Sequence, residues 1–464
     1  MRSFYTVLVG SSPLARSMPR NFAQSGMRSN LSDIDVFRGI AALIVATMHT
    51  REITWVGMRE FWHPAQTAPN VILGYVTFPM VWGSIGVPIF FVLSGYCIHR
   101  SQAFTHMRDG SFQLSPTNFL MRRFFRIYPV LFGALLGTLL CDWLSRHYFP
   151  NSYKLGDTGI GTFLVTLLSL QGIASREYGS NGPLWTLSIE VQFYVLYPLL
   201  LVSMFRLGKL TTFGLLAVVN VGFYWALERY GYQLFSSYYV SWYLGALVAE
   251  GEAMGLLSER LSSSRLRAAF YALGFAFLCA GCALFFLSSY VAFQVWAVAF
   301  AIFLFAVLKR PTELSGWASK SFSWLGTFSF SLYIIHLPVV VLIHSVFFNS
   351  VHQVSIAPFC ATLVAAIGCA YAFSFIFERP ALALSQMWKG TSLERGRIDR
   401  IGRETLHTFA AAHGPFDENR PGMDAAELAY TAMLGGTKTR LPTRGLSPAE
   451  CFPWSACSDI WLSA

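Results

Sequence analysis

Residues 37–49 read Phe-Arg-Gly-Ile-Ala-Ala-Leu-Ile-Val-Ala-Thr-Met-His, and this stretch decides how the rest of the chain is interpreted. It is almost entirely apolar, but an arginine stands near its start and a histidine at its end. Eleven residues turn an α-helix about three times, so Arg38 and His49 are predicted to lie on one face, about 16 Å apart along the axis. Polar groups at such depths in a bilayer are costly, and both residues are therefore functional candidates.

The composition of the whole chain indicates an integral membrane protein. Of the 464 residues, 54% are hydrophobic and 12% are charged, whereas soluble domains carry about 25% charged residues. Apolar runs of about twenty residues, the length that crosses a hydrocarbon core, recur along most of the chain. We therefore predict an all-α, polytopic membrane helix bundle of about ten transmembrane helices. The predicted spans are 34–51, 80–98, 128–147, 184–205, 211–227, 236–250, 268–287, 290–308, 322–347 and 356–377.

The placement of charge predicts the orientation of the bundle. The net charge is +10, but the basic residues are dispersed among short loops, which fits the positive-inside rule better than a nucleic-acid-binding surface. With ten spans, most Lys and Arg residues of these loops share one side with the N-terminus. Both termini are therefore expected to be cytoplasmic.

The chain divides into three predicted segments. Residues 1–33 form a polar, basic cytoplasmic segment, residues 34–380 the transmembrane domain, and residues 381–464 a loosely ordered cytoplasmic tail. The first segment has the arginine-containing, acid-poor composition of a transit peptide, and a start codon placed too early is the competing explanation. Met18 and Met27 both precede the first predicted span.

The eight cysteines predict neither a disulfide framework nor a metal site. Most of them, such as Cys97 and Cys369, fall inside apolar spans, where a thiol behaves as a small hydrophobic group. Cys279 and Cys282 have the spacing of a redox or metal motif, but their small, apolar neighbours favour a contact between two helices. No metal is expected.

Two basic residues before the third predicted span form a candidate anion site. Arg123 and Arg126 lie one helical turn apart in the stretch Arg-Arg-Phe-Phe-Arg-Ile-Tyr-Pro of residues 122–129. Guanidinium groups at this spacing can hold phosphates from one helix face. The same residues also fit a positive-inside anchor, and the two interpretations are compatible.

Other polar groups lie inside predicted spans. Pro183 suits the first turn of a helix, so Glu190 lies well inside that helix, where a carboxylate must face a cavity or pair with a cation. Tyr333 and His336 lie one turn apart in the ninth predicted span. From spacing alone, these two residues are more often hydrogen-bonded core groups than functional ones.

Four blocks of sequence occur in a characteristic order. They are Asp-Val-Phe-Arg-Gly-Ile-Ala-Ala at 35–42 followed by His49, Phe-Phe-Val-Leu-Ser-Gly-Tyr at 90–96, the arginine block at 122–129, and Pro-Leu-Trp-Thr-Leu-Ser-Ile-Glu-Val-Gln-Phe-Tyr at 183–194. With Ser-Leu-Tyr at 331–333, His336 and Glu-Arg-Pro at 378–380, they resemble the acyltransferase 3 family of membrane O-acyltransferases. Val36 and Val191 depart from the family pattern, in which Gly and a second acid are frequent, but neither position is assigned to the chemistry.

The resemblance implies transfer of an acyl group, most often acetyl, from cytoplasmic acyl-CoA to a hydroxyl beyond the bacterial inner membrane. The implied acceptor is an extracytoplasmic or lipid-linked carbohydrate, such as a surface polysaccharide, an O-antigen of lipopolysaccharide or an exopolysaccharide. Membrane lipid is the other implied partner, and nucleic acid is not one. Larger family members carry a fused extracytoplasmic hydrolase-like domain, which we do not expect here.

The same resemblance implies roles for the polar residues. Arg38, Arg123 and Arg126 would bind the phosphates of acyl-CoA. Asp35, one turn before Arg38, would neutralise part of its charge. His49 would be the general base for the acceptor hydroxyl, because imidazole exchanges protons readily near neutral pH.

Glu190 would orient His49 or stabilise its protonated form, as a carboxylate does behind a catalytic histidine. An acylated His49 stays open as an intermediate, and so does the simpler reading of an interfacial histidine. Further candidates from the family blocks are Trp185, Ser188, Tyr333 and His336.

A second class of function fits the same residues. Ten spans with buried Arg, His and Glu also describe a secondary transporter or flippase. Such carriers often show two halves of similar pattern with broken helices, and this sequence shows no such halves. Transfer from acetyl-CoA by the purified protein distinguishes the two classes, because a transporter would not catalyse it.

Overall fold

The computed structural model describes residues 20–56, 68–149, 152, 154–227, 230, 232, 234–256, 264–308 and 316–388. The chain forms two units, Met1–Lys389 and Gly390–Ala464, and the second lies entirely outside the described residues. Most of the predicted segment 1–33 also lies outside them, and of the predicted tail 381–464 only residues 381–388 are described.

The described residues form helices and contain no β-strand, which confirms the all-α prediction. Short 3-10 helices at Phe78–Ile85 and Phe235–Ser237 and a π-helical turn at Ser374–Glu378 complete the set. The α-helices are α1 Arg20–Thr54, α2 Ala68–Val76, α3 Gly86–Asp109, α4 Pro116–Tyr148, α5 Ile160–Leu167, α6 Leu184–Leu207, α7 Lys209–Ala226, α8 Tyr239–Ala253, α9 Ser264–Leu284, α10 Ser289–Val307, α11 Gly316–Gly326, α12 Ser329–Phe348 and α13 Ile356–Phe373.

Seven helical runs in the described part of the chain are long and apolar enough to cross a membrane. They are Ile72–Asp109, Pro116–Tyr148, Leu184–Leu207, Arg265–Leu284, Ser289–Val307, Ser329–Phe348 and Ile356–Trp388. The prediction of a polytopic membrane helix bundle is therefore confirmed. The other three predicted spans coincide with α1, α7 and α8, so the number ten stays a prediction.

Two predicted span boundaries are wrong. The predicted span 322–347 is broken after Gly326, where α11 ends and α12 begins at Ser329. The last span does not stop at the charged residues before Pro380, because its helix continues to Trp388. A proline lacks the N–H that an α-helical turn needs. The π-helical turn Ser374–Glu378, whose longer hydrogen bond runs from the Arg379 N–H to the Ser374 carbonyl, comes just before that proline and lets the helix continue.

Glycines bring the helices around α1 and α3 unusually close together. A Cβ on Gly39 of α1 would lie 2.1 Å from the Phe322 carbonyl oxygen of α11. On Gly95 of α3 it would lie 1.9 Å from the carbonyl oxygen of Trp242 in α8. Small residues of this kind are the usual means of close helix approach in membranes. These contacts fix α1 against α11 and α3 against α8.

The pair Cys279 and Cys282 lies on α9, as predicted for a contact between helices. Between them, a Cβ on Gly281 would lie 2.4 Å from the Trp296 ring of α10. Helices α9 and α10 pack along each other. The small residues of this motif therefore serve helix packing.

Candidate active site

A cavity of about 380 Å³ opens between α1, α3, α4, α6 and α12. Each helix contributes at least one polar side chain, and the residues after α13 complete the wall. The charged lining consists of Arg38, Arg123, Arg126, Glu190 and Glu378. Residues that are far apart in sequence therefore meet in one cavity.

Arg38 joins the cavity from α1. Its Nη1 donates to Asp35 Oδ1 at 3.2 Å, so the ion pair expected from the spacing is formed. Its Nη2 reaches Cys97 Sγ of α3 at 3.5 Å. Asp35 is not part of the cavity wall. Arg38 is thus fixed by its neighbours with part of its charge compensated.

Arg123 and Arg126 enter from α4, one turn apart as the sequence predicts. The Arg123 guanidinium lies over the rings of Phe119 and Tyr194, at 5.6 and 5.3 Å from their centroids. In the part of the chain that the structure describes, Arg126 makes no hydrogen bond or ion pair. The neighbouring Arg122 turns away from the cavity and donates from Nε to the Asn118 carbonyl at 3.2 Å.

Glu190 faces this cavity. The sequence predicted that this carboxylate would either face a cavity or pair with a cation, and the first of these is observed. The Ser94 hydroxyl donates to its Oε1 at 2.9 Å, and the Tyr194 hydroxyl donates to the same oxygen. Trp242 Nε1 donates to Ser94 at 3.2 Å, which fixes that hydroxyl in turn. The role of Glu190 behind His49 stays a prediction: the polar contacts of Glu190 are these hydroxyls, and the hydrogen-bond partner of His49 is His336.

His49 is hydrogen-bonded to His336 of α12. The distance between His49 Nδ1 and His336 Nε2 is 2.9 Å, and the two rings are stacked with centroids 5.1 Å apart. His336 is fully buried. Its Nδ1 lies 2.9 Å from the carbonyl oxygens of both Leu332 and Tyr333.

This network fixes the tautomers of the neutral pair. Carbonyl oxygens only accept, so His336 Nδ1 must carry the proton and donate. His336 Nε2 is then bare and accepts from His49 Nδ1–H. The remaining nitrogen of His49, Nε2, carries a free lone pair. A neutral imidazole held in this way can take a proton from a neighbouring hydroxyl.

Tyr333 connects the cavity with the histidine pair. It belongs to the cavity wall, and its ring centroid lies 6.3 Å from that of His336. Its hydroxyl is 2.8 Å from the Thr186 hydroxyl of α6. The histidines themselves lie behind this wall and outside the lining of the cavity.

Two of the sequence candidates occupy packing positions. The Ser188 hydroxyl is fully buried and donates to the Ser169 carbonyl at 2.6 Å. Trp185 packs its ring against Tyr238 and Phe293, with centroids 5.5 and 6.3 Å away. Neither residue lines the cavity. Their place in the block 183–194 therefore reflects how α6 is anchored.

Glu378 was not predicted to be a cavity residue, because the last predicted span ends at residue 377. The helix continues beyond that point and brings this side chain against α12. Glu378 Oε2 accepts from the backbone N–H of Ser331 at 2.9 Å and from its hydroxyl at 2.5 Å. Ser331 and Glu378 both belong to sequence blocks named above, at 331–333 and 378–380. Their membership of these blocks was the signal that could have indicated a shared site.

Comparison with known proteins connects this site to acyl transfer. Residues 31–375 match the protein family described as "Acyltransferase domain". The peptidoglycan O-acetyltransferase OatA of Listeria monocytogenes is 27% identical over 289 residues, which cover 56% of this chain and 45% of the relative. A Bacillus subtilis protein provisionally named peptidoglycan O-acetyltransferase YrhL is 27% identical over 325 residues, 64% of this chain and 50% of the relative. The acyltransferase MdmB of Streptomyces mycarofaciens is 29% identical over 170 residues, 36% of this chain and 38% of the relative.

The chain spans about half the length of the two peptidoglycan relatives that it matches. No solved structure matches the chain. The peptidoglycan acceptor in these names is that of the two relatives.

Proposed function

Since the chain belongs to the acyltransferase 3 family and is a membrane acyltransferase, we propose that it transfers an acyl group, most often acetyl, from cytoplasmic acyl-CoA to a carbohydrate hydroxyl. The observation that carries the proposal is the single cavity lined by Arg38, Arg123 and Arg126. The alternative of a secondary transporter or flippase is not retained, because the family is one of transferases.

The charge balance of the cavity supports an anionic donor. Arg126 is half-buried in the cavity wall and makes no hydrogen bond or ion pair among the described residues, and a cation so placed is stabilised by an anionic ligand. The two carboxylates of the wall accept hydrogen bonds from hydroxyl and backbone groups, and among the described residues neither forms an ion pair with Arg123 or Arg126. Guanidinium groups match phosphate oxygens in geometry as well as charge. The phosphates of acyl-CoA satisfy this requirement.

The histidine pair supports the transfer step. We propose that His49 Nε2 takes the proton of the acceptor hydroxyl while the oxygen of that hydroxyl attacks the thioester carbon of the donor. The bond between that carbon and sulfur then breaks, and the CoA thiolate leaves with the proton that His49 returns. Tyr333, which touches both the cavity and His336, is where the thioester end of the donor would meet the pair.

The acceptor is proposed to be an extracytoplasmic or lipid-linked carbohydrate. The names of two relatives specify peptidoglycan, a carbohydrate polymer outside the cytoplasmic membrane, and this supports the class. We place the bundle in a bacterial inner membrane with both termini cytoplasmic, since this puts Arg123 and Arg126 on the side where acyl-CoA is found.

The test is made with purified protein in lipid nanodiscs. Binding of acetyl-CoA is measured by calorimetry, release of CoA is followed with a thiol reagent, and ester formation is followed with acetyl-CoA labelled in the acetyl group. The acceptors are peptidoglycan fragments and unrelated oligosaccharides. We expect saturable binding and formation of a labelled ester with at least one acceptor. Absence of acetyl-CoA binding by folded protein would contradict the proposal.

A further inference from the structure

Helix α12 contains a proline two residues after His336. Pro338 has no N–H, so the carbonyl oxygen of Ile334, four residues earlier, receives no hydrogen bond from within the helix. An unpaired buried carbonyl is costly. The helix therefore needs an outside donor within one turn of the histidine.

Asn181 supplies this donor. Its Nδ2 donates to the Ile334 carbonyl oxygen at 2.9 Å, and both residues are completely buried or nearly so. Asn181 precedes α6 and is not a member of any motif to which a role has been assigned. The contact joins the segment before α6 to the one carbonyl that Pro338 leaves without a donor.

The amide is itself held in place. A side-chain amide has two hydrogens, and the second is donated to the Thr138 hydroxyl of α4, also at 2.9 Å. The preceding Ser180 donates its backbone N–H at 2.7 Å and its hydroxyl at 2.5 Å to Asp142 of α4. Asn181 is thus a fixed bridge between α4 and the turn of α12 that precedes Pro338.

We infer that Asn181 is a positioning residue for the histidine pair. By binding the Ile334 carbonyl it fixes the turn of α12 that carries His336, and so the direction of the hydrogen bond that His336 accepts from His49. This inference rests on the proposed role of His49 as the base. It predicts that Asn181 acts mainly on the transfer step. Asn181 itself does not line the donor cavity, although its partner Ile334 does.

The test is a double-mutant comparison. Asn181→Leu removes the amide donor and keeps the number and branching of the side-chain heavy atoms, and Pro338→Ala restores a backbone N–H that can satisfy Ile334 from inside the helix. In the parent protein, which has proline at position 338, we expect Asn181→Leu to lower kcat about tenfold or more without changing the KM for acetyl-CoA. In the Pro338→Ala background the same substitution is expected to lower kcat less than about threefold.

Equal losses in the two backgrounds, or a loss confined to KM, would overturn the inference. Rates are expressed per acetyl-CoA-binding site, so that a smaller folded fraction does not count as lost kcat. Asn220→Leu is the matched control, because Asn220 is a buried amide that bonds Tyr290 at 2.8 Å between α7 and α10, away from the site. Asn181→Ala gives the same comparison should the leucine prevent folding.

If Pro338→Ala alone abolishes transfer, the comparison is made on the ¹⁵N shifts of labelled histidine rings. The Nδ1–H tautomer of His336 is expected in the parent and the double variant and is expected to be lost in Asn181→Leu. Failure of the proposed function looks different, since the parent protein would then not transfer at all. A parent that transfers and depends on His49, with no coupling between positions 181 and 338, contradicts only the positioning role.

Discussion

His49 and His336 lie 287 residues apart in the chain, and their rings are joined by a hydrogen bond of 2.9 Å between Nδ1 and Nε2. The backbone carbonyls that bind His336 Nδ1 set the direction of this bond. The Nε2 lone pair of His49 is therefore left to accept a proton. His336 occupies the position behind the proposed base that the sequence suggested for the carboxylate of Glu190.

The first prediction concerns His336. His336→Ala removes the acceptor for His49 Nδ1–H, and we expect kcat for transfer to fall about tenfold or more. The KM for acetyl-CoA should stay unchanged, because His336 does not line the cavity. His336→Gln, whose amide oxygen can accept the same hydrogen bond, should recover part of the rate. Steady-state kinetics check this, with His344→Ala as a control at a buried histidine of the same helix.

The second prediction concerns Arg126. Arg126→Gln should weaken acetyl-CoA binding about tenfold or more, because a charge-assisted hydrogen bond to phosphate is lost. Arg126→Lys should recover part of the affinity, since it keeps the charge but not the planar fork. Arg122→Gln, on the same helix but turned away from the cavity, should have little effect. Calorimetric titration decides the point, and a variant that weakens only acceptor binding would argue against this site.

The third prediction concerns Glu190. Glu190→Gln removes a negative charge from the wall that holds the three arginines, so acetyl-CoA should bind about threefold more tightly or better at low salt. Glu252→Gln is the control, because Glu252 pairs with Arg100 outside the cavity. An unchanged dissociation constant together with a large loss of kcat would instead support the view that Glu190 serves His49.

The fourth prediction concerns helix packing. Gly95→Ala forces a methyl group against the Trp242 carbonyl, and overpacking of this kind costs about 1–3 kcal/mol of unfolding free energy. Gly368→Ala places the same methyl group where no atom lies within 4 Å, so it should be neutral or slightly stabilising. Thermal unfolding in detergent compares the two variants, and equal stability would show that the α3–α8 contact has room to adjust.

Much of the site was predictable from residue chemistry alone. Apolar runs predicted the helices, and the cost of charge in a membrane singled out Arg38 and Glu190 before their positions were known. The one-turn spacing of Arg123 and Arg126 predicted a shared face, and both line the cavity. Local spacing was sufficient in these cases because the paired residues belong to one helix.

What the sequence could not predict were contacts between helices. Nothing near His49 indicates that its partner comes from α12, and nothing near Asn181 indicates an unpaired carbonyl at Ile334. Glu378 was misplaced because a proline two residues later was read as the end of a helix, whereas a π-helical turn lets the helix continue past it. Such contacts depend on tertiary packing, which spacing along one chain segment does not encode.

The most direct measurement of the central claim is acyl transfer by the His49→Ala variant in lipid nanodiscs, with labelled acetyl-CoA as donor and the acceptor that the parent protein acetylates. His147→Ala, a substitution at an outward-facing histidine near the end of α4, serves as the control. We expect His49→Ala to bind acetyl-CoA as the parent does and to transfer about 100-fold more slowly or worse. Transfer by His49→Ala at a rate close to that of the parent would contradict it.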